Sequence, residues 1–589
     1  MKRPLAALAI ISVTCGACTG QISGNGQGKG DAGSMTSGSG GSSRPDAGSG
    51  GASGSGGASG SGGASNGSGG GSGMAACVPG IPGTSQIPRL FNRQYSAVVR
   101  DLLGLTTLAS ANNQAPGAGL YADFEGPTNV DAWRLYQEVG DKIATEVMAG
   151  PNKSRFITCN PATAGCLTDT IRTFGRKAFR RPLTDAEVAR FEKLGQTTPK
   201  GTPDEIAQTT LYAFLVSPSF VQIPELATTT ETGNITLSSY EVAARLSFLL
   251  WDSIPDDVLN DAADKEQLDS REKILAQAKR MIAIRDKAAP LVAAYHRKYL
   301  DMDNDDAHWW KVSHDTSKFP LYSTAVVSPL QGELDRFFED VAFGGGSFKD
   351  LFLSNVGYVN KDTAAIYDLD PKDFGPDLKR VTLDSDRRPG FLTRAGFLSS
   401  YSHFDATSPI LRGAFVTVYM IGVNPGTPDP AFFLMKPPQG DYKTERAYTE
   451  ALTSQSACTG CHTPFVNPPG FVLEKYDSIG KWQTVDPRSG TDPDAGKIDG
   501  TATVTFSAGN TKKINNPREL MEEITKTPMA KRMYAEKAVA FATRRVANAN
   551  DACTVNILDT KLAEDGFPLL DVFTEMTQAD SFRLRVKGN

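Results

Sequence analysis

A helical period governs the apolar residues of most of the chain. One predicted helix carries an apolar face and ends before Gly104, a residue type that often closes helices. The face consists of Leu90, Val98, Val99, Leu102 and Leu103. We therefore expect an amphipathic helix that packs this face against a core.

Helix-start signals precede three further apolar repeats. Two are capping boxes, in which a Ser or Thr and a Glu three residues later bond each other's backbone amides, and one is an N-cap serine before a first-turn proline. They are Thr184–Glu187, Ser238–Glu241 and Ser408–Pro409. A strand-like run occurs from Thr501 to Phe506, after a turn-rich stretch. The pattern predicts a mainly α protein of multi-helical domains, with a small β element near the C-terminus.

The first 18 residues have the composition of an export signal. Lys2 and Arg3 precede an apolar run from Leu5 to Val13 that is too short to span a bilayer, and small residues lead to Cys18. These features predict a lipoprotein-type signal peptide, residues 1–18, with lipidation of Cys18. Cleavage near Ala17 without a lipid is the alternative. The lipid would anchor the exported protein to the cell envelope, and we expect the outer membrane.

Residues 19–76 are dominated by Gly, Ser and Ala, and Gly50 to Ser65 is a short repeat of these residues. Such a composition cannot bury a core, so we predict a disordered tether. A stalk that holds the folded part off a membrane is the functional interpretation, and a neutral spacer is the alternative.

Charge is balanced along the chain, with 61 basic and 66 acidic residues and a net charge of −5. Because no basic block stands out, nucleic acid is not an expected partner. The sequence contains no GxSxG, HExxH or P-loop motif, so hydrolase and nucleotide-binding hypotheses have no motif support.

The strongest chemical signal is the CxxCH motif formed by Cys458, Cys461 and His462. This spacing is the attachment signal for a c-type haem, with two thioether bonds from the cysteines and an iron ligand from the histidine. The stretch Asn467 to Gly470 is rich in proline and predicts a turn whose backbone carbonyl could accept from the second nitrogen of His462. A redox dithiol or half of a zinc site are the alternatives for the two cysteines.

The remaining exported cysteines predict disulfides, since the compartment is oxidising. They are Cys77, Cys159, Cys166 and Cys553, and three pairings are open. We favour Cys159–Cys166, a short loop whose closure is worth about 2–3 kcal/mol in the chain-entropy model. Cys77–Cys553 would then join the two ends of the folded part.

Five sequence blocks, in order, carry a family resemblance. They are Arg89 to Gly104, Phe174 to Phe191, Tyr240 to Leu259, Arg388 to Gly413 and Cys458 to Trp482. The chain resembles exported multidomain proteins of planctomycetes and myxobacteria built from the domains of unknown function DUF1587, DUF1595, DUF1592, DUF1588 and DUF1585. One of these domains is described as cytochrome-like. The resemblance implies a c-type cytochrome-like haem segment, and little else about activity.

The resemblance also implies a sixth iron ligand, because similar proteins usually carry a histidine at the position of His403. Met420, Met435 and Met529 are the alternatives. Met or His would close the iron for electron transfer, whereas an open position would permit small-molecule chemistry.

The blocks and composition together predict five folded domains. They are an N-terminal helical domain (77–150), two further helical domains (160–228 and 236–365), the cytochrome-like domain (385–485) and a C-terminal domain (496–580).

Three functions follow as hypotheses. The first is a cell-envelope electron-transfer protein with one haem c and an unidentified redox partner. The second is a haem-dependent oxidoreductase that acts on peroxide or an extracellular polymer. The third is a surface scaffold or binding protein without redox activity. The length of the helical part favours a binding partner, such as an extracellular polymer, in addition to the haem.

Overall fold

The computed structural model describes residues 89–90, 92–106, 130–197, 201–227, 234–302, 313–423, 439–543 and 547–586. The predicted signal peptide with Cys18, the tether, Cys77 and Met435 lie outside the described residues. All the described residues belong to one compact unit. The prediction of a mainly α protein is confirmed.

The N-terminal helices surround a core of their own. They are α1 (Asn92–Leu103), α2 (Val130–Ala149), α3 (Lys153–Phe156), α4 (Cys166–Phe179), α5 (Asp185–Thr197), α6 (Pro203–Leu215) and α7 (Pro218–Val221). The predicted apolar face of α1 is buried, and Gly104 follows it with a φ of 72°. The amide of Glu187 donates to Thr184 at 3.2 Å and that of Thr184 to Glu187 at 2.8 Å, so the predicted capping box opens α5.

A second and larger core joins the middle of the chain to its C-terminal part. The middle helices are α8 (Ser239–Leu250), α9 (Asp257–Asp264), α10 (Arg271–Ile282), α11 (Arg285–Tyr299), α12 (Thr324–Phe343) and α13 (Phe348–Leu353). The capping box predicted at Ser238 and Glu241 opens α8.

Five short helices form the region around the CxxCH motif. They are α14 (Ala395–Ser400), α15 (Pro409–Phe415), α16 (Glu445–Leu452), α17 (Ser456–Cys461) and α18 (Asn467–Val472). A π-helical segment, Val416–Ile421, continues α15, and another, His462–Val466, joins α17 to α18. Ser408 caps α15, as predicted, by accepting from the amide of Leu411 at 3.2 Å.

The C-terminal helices are α19 (Pro517–Lys526), α20 (Pro528–Thr543), α21 (Ala552–Ala563), α22 (Asp571–Glu575) and α23 (Asp580–Arg583). The strands form antiparallel pairs: β1 (Asn234–Thr236) with β6 (Leu584–Val586), β2 (Val356–Val359) with β3 (Lys379–Thr382), and β4 (Ala502–Ser507) with β5 (Asn510–Ile514). The β4–β5 hairpin is the predicted β element. The β1–β6 pair brings the C-terminal end of the described chain to the start of its middle part.

Candidate functional site

The three residues of the CxxCH motif share one helical face. Cys458 and Cys461 lie on α17, and His462 begins the π-helical segment that follows. Residues three and four positions apart are neighbours on a helix surface, so Cys458 adjoins both partners. Cys458 and His462 are 4% and 3% exposed, and Cys461 is half-buried.

A chain of hydrogen bonds orients the ring of His462. The hydroxyl of Thr453 donates to the carbonyl oxygen of Thr449 at 2.8 Å and accepts from Nδ2 of Asn467 at 2.8 Å. The amide of Asn467 therefore turns its oxygen, Oδ1, toward Nδ1 of His462 at 3.0 Å. Because that oxygen can only accept, Nδ1 carries the proton and Nε2 keeps its lone pair.

This arrangement corrects the predicted role of the proline-rich stretch. The second nitrogen of His462 meets a side-chain oxygen, that of Asn467, and not a backbone carbonyl. The stretch is also the first turn of α18 and not a turn between elements. Pro468 and Pro469 are tolerated there because the amides of a first helical turn have no intrahelical acceptor.

Two glycines let α15 lie directly against the helix that follows the motif. A Cβ added to Gly413 would overlap the carbonyl oxygen of Val466, and one added to Gly470 would overlap that of Pro409. Beyond Gly413, the hydroxyl of Thr417 donates to the carbonyl oxygen of Phe465 at 2.8 Å. The two segments therefore run antiparallel, with residues 413–417 nearest His462.

Burial controls the charge of His462. Desolvation lowers the pKa of its imidazole, and the hydrogen bond that His462 donates to Asn467 opposes this shift. The ring is therefore neutral at neutral pH, the form in which Nε2 can bind a metal. The residues present thus fit a haem iron, since a neutral ring, a lone pair on Nε2 and a fixed ring orientation are what a proximal ligand requires.

His403 lies at the other end of the α15–α18 contact. It belongs to an exposed loop that packs on the buried side chain of His314. Nδ1 of His314 lies 3.1 Å from the carbonyl oxygen of His403. The same loop is joined to the turn that follows α18, because the hydroxyl of Thr407 donates to the side chain of Glu474 at 2.7 Å. His403 and His462 therefore lie toward opposite ends of this helix pair, and the sixth-ligand assignment stays a prediction.

The methionine alternatives occupy different environments. Met420 is fully buried, and its Sδ accepts from the hydroxyl of Tyr299 at 3.3 Å. Met529 is the second residue of α20, is 39% exposed and lies against Gly422. Met420 therefore serves as a packed core residue in this structure.

A buried arginine and a buried carboxyl group beside the motif were missed by the sequence analysis. Arg412 on α15 is fully buried and donates to the carbonyl oxygens of Leu473 and Tyr476 at 2.9 and 2.8 Å. One of its nitrogens lies 3.7 Å from the carboxylate of Glu474, whose burial raises its pKa to about 8. No local sequence pattern predicts this pair, because its two residues are 62 positions apart in the chain. They meet because α15 and α18 approach each other closely.

The short disulfide predicted between Cys159 and Cys166 is confirmed, with a Cα–Cα distance of 5.9 Å. Cys553 is also disulfide-bonded, and its partner lies outside the described residues. The pairing with Cys77 therefore stays a prediction. Among the described helices, none is both long and apolar enough to cross a membrane.

The fold and motif define a class: a mainly helical protein with a CxxCH segment. Four family models match it consecutively, and each is described only as a protein of unknown function. They are DUF1595 at residues 166–225, DUF1592 at 237–369, DUF1588 at 388–486 and DUF1585 at 510–582. The chain therefore belongs to the proteins built from these domains, as the sequence resemblance predicted, while DUF1587 stays a prediction.

The DUF1588 match contains the CxxCH motif, Asn467 and His403. Comparison with curated proteins found no match, and comparison with solved structures found none either.

Proposed function

We propose that this chain is a c-type haem protein of the cell envelope that takes part in electron transfer. In this proposal Cys458 and Cys461 form thioether bonds to one haem c, and His462 supplies the proximal iron ligand through Nε2. The observation that carries the proposal is the Thr449–Thr453–Asn467–His462 chain, which leaves Nε2 as the nitrogen with a lone pair. Neither a dithiol nor a scaffold needs a histidine held in this tautomer.

Each residue of the site has a separate task. When bound, the haem would supply an iron that accepts and releases one electron. Cys458 and Cys461 would hold the macrocycle covalently, and His462 would bind the iron. Asn467 holds the imidazole and makes it a stronger donor, because an acceptor on Nδ1 increases the electron density at Nε2.

The remaining proposals concern place and partners. The N-terminal sequence supports export and a lipid on Cys18 at the cell envelope, with the outer membrane as the expected site. The helical domains outside the haem segment support a binding role, with a redox protein or an extracellular polymer as the partner. A pull-down from envelope extracts or a glycan array tests this role, and absence of binding in both would contradict it.

The haem proposal predicts a visible spectrum and a covalent bond. Protein produced with the c-haem maturation machinery should give a sharp α band in a reduced-minus-oxidised spectrum and should retain haem on a denaturing gel. The double variant Cys458→Ser/Cys461→Ser should lose the haem stain. Gly460→Ala is the matched control between the two cysteines, because a Cβ there meets nothing within 4 Å. A colourless wild-type protein would overturn the proposal and leave the scaffold hypothesis.

The role of Asn467 gives a second readout. Asn467→Leu should raise the reduction potential, because an imidazole without an acceptor on Nδ1 stabilises the ferric iron less. Asn467→Asp keeps an acceptor and adds a charge, so it should lower the potential. Equal potentials in all three proteins would contradict this role, whatever the effect of the variants on stability.

A further inference from the structure

A tyrosine and a histidine form a hydrogen-bonded pair in the larger core. Tyr534 lies on α20 and His296 on α11, and both side chains are fully buried. The hydroxyl oxygen of Tyr534 is 3.0 Å from Nε2 of His296. This distance is within the range over which a base takes a proton directly.

The tautomer of His296 follows from its other nitrogen. Nδ1 lies 2.7 Å from the carbonyl oxygen of Val292, which can only accept, so Nδ1 carries the proton. Nε2 therefore accepts, and the phenol of Tyr534 donates to it. The ring of His296 stacks on Phe338 with centroids 4.1 Å apart, which fixes its orientation. Burial lowers the pKa of His296 to about 3, so the imidazole is neutral and ready to accept.

Tyr534 differs from the two tyrosines that surround it. The ring centroids of Tyr295 and Tyr299 lie 5.1 and 5.0 Å from that of Tyr534. The hydroxyl of Tyr295 donates to the backbone carbonyl oxygen of Tyr534 at 2.8 Å, and that of Tyr299 donates to the sulfur of Met420. Neither acceptor is a base that can hold a proton. Of the three phenols, Tyr534 is therefore the one with a built-in proton acceptor.

Oxidisable side chains connect this pair to the CxxCH region. Met420 belongs to the π-helical segment Val416–Ile421, in which the hydroxyl of Thr417 donates to the carbonyl oxygen of Phe465 in the segment His462–Val466. Its sulfur accepts a hydrogen bond from the hydroxyl of Tyr299, whose ring contacts that of Tyr534. The thioether of Met420 and the phenols of Tyr299 and Tyr534 thus form a continuous series of contacts from this segment to His296.

We propose that Tyr534 is a redox-active tyrosine that gives up an electron while its phenolic proton passes to His296. The O–H bond of Tyr534 breaks, an N–H bond forms at Nε2 of His296, and the electron goes to a one-electron oxidant, leaving a neutral phenoxyl radical and an imidazolium. The oxidant would be a haem at the CxxCH motif that a peroxide has oxidised, so this part rests on the haem attachment proposed above and on the peroxide chemistry of the second hypothesis. Return of the electron and the proton restores the pair.

Two physical reasons make this step favourable at Tyr534. A phenol that has lost an electron is a far stronger acid than an imidazolium, so the proton moves to His296 although burial makes that ring a weak base. The radical is then enclosed by packed side chains, which exclude other radicals and solvent. The site would hold one oxidising equivalent inside the protein and so links the chain to peroxide chemistry.

Electron paramagnetic resonance tests the proposal on the full holoprotein. After mixing with hydrogen peroxide and rapid freezing, we expect a tyrosyl radical signal. Tyr534→Phe should reduce this signal to background, whereas Tyr295→Phe, the matched control in the same cluster, should retain it. His296→Gln keeps a hydrogen-bond acceptor but not a base, so it should shorten the lifetime of the radical. Thermal unfolding of each variant checks that it folds.

A second arm separates this proposal from the haem proposal. A photogenerated ruthenium(III) polypyridyl complex oxidises the haem-free chain, so the radical at Tyr534 can form without haem. A signal that disappears in Tyr534→Phe supports the tyrosine site even if the protein attaches no haem. Failure to attach haem would overturn the haem proposal alone. A signal that persists in Tyr534→Phe, or no tyrosyl signal in the wild-type chain in either arm, overturns the tyrosine proposal.

Discussion

Glu474 illustrates how a single buried carboxyl can govern stability at the residue scale. One of its oxygens accepts from Thr407, and the other faces Arg412 at 3.7 Å. Burial is the dominant influence and raises the pKa to about 8, and nearby Glu445 and Asp486 add to the rise while Arg412 opposes it. The folded protein therefore holds this proton over a pH range in which the unfolded chain has released it.

The pKa of Glu474 predicts how stability depends on pH. Its contribution is fully present below the unfolded pKa of 4.5 and is lost as pH rises toward the folded value of about 8. The loss is at most about 1.4 kcal/mol per pH unit for one group. Glu474→Gln should flatten this decline, as measured by chemical denaturation at about pH 5 and about pH 8. Glu146→Gln, an exposed control on α2, should leave the decline unchanged. If the stability of Glu474→Gln fell with pH as steeply as that of the wild type, the raised pKa would be contradicted.

At the element scale, the contact between α15 and α18 depends on the absence of side chains at Gly413 and Gly470. Each glycine lies where a Cβ would overlap a carbonyl oxygen of the facing segment. The helices can therefore approach closely enough for Thr417 to reach Phe465 and for Arg412 to reach the carbonyl of Leu473. This contact positions the segment that carries His462.

Gly413→Ala should consequently force the two helices apart. Overpacking of this kind costs about 1–3 kcal/mol, and we expect the variant to attach less haem as well. Gly460→Ala is the control, and it should stabilise the protein. Its Cβ is unobstructed, and alanine favours the helix by about 0.5–1 kcal/mol. Denaturant unfolding of both proteins measures the difference. Equal stabilities would show that the close approach is not required.

At the scale of the whole molecule, the C-terminal segment holds distant parts of the chain together. Strand β6 pairs with β1, with Val586 opposite Asn234. Arg245 on α8 makes a two-point ion pair with buried Glu225, at 2.5 and 2.8 Å. It also donates to the carbonyl oxygens of Ser581 and Phe582, at 2.7 and 3.0 Å. One guanidinium therefore joins three separate stretches.

Removing that guanidinium should be costly. Arg245→Met would leave the Glu225 carboxylate buried without its partner, a change worth about 3–5 kcal/mol. Lys273→Met breaks an exposed pair with Asp269 and should cost less than about 1 kcal/mol. Urea unfolding gives both values, and limited proteolysis should release the C-terminal segment earlier in Arg245→Met. A cost for Arg245→Met no greater than the control would refute this role.

The sequence by itself determined the features that are encoded within a few residues. The capping boxes at Thr184 and Ser238, the N-cap at Ser408 and the short disulfide at Cys159 all depend on neighbours along the chain, and the structure has each of them. The CxxCH motif is also local, and its spacing places Cys458, Cys461 and His462 on one helical face.

Only the tertiary structure decided which atoms meet across the fold. The acceptor for His462 is Asn467, which is oriented by the threonine at the C-terminal cap of α16, and Tyr534 reaches His296 across 238 positions of sequence. Likewise, Arg245 finds Ser581 across 336 positions. The physical reason is that local signals follow from the periodicity and capping of one helix, whereas these contacts depend on how closely and in which register separate helices pack.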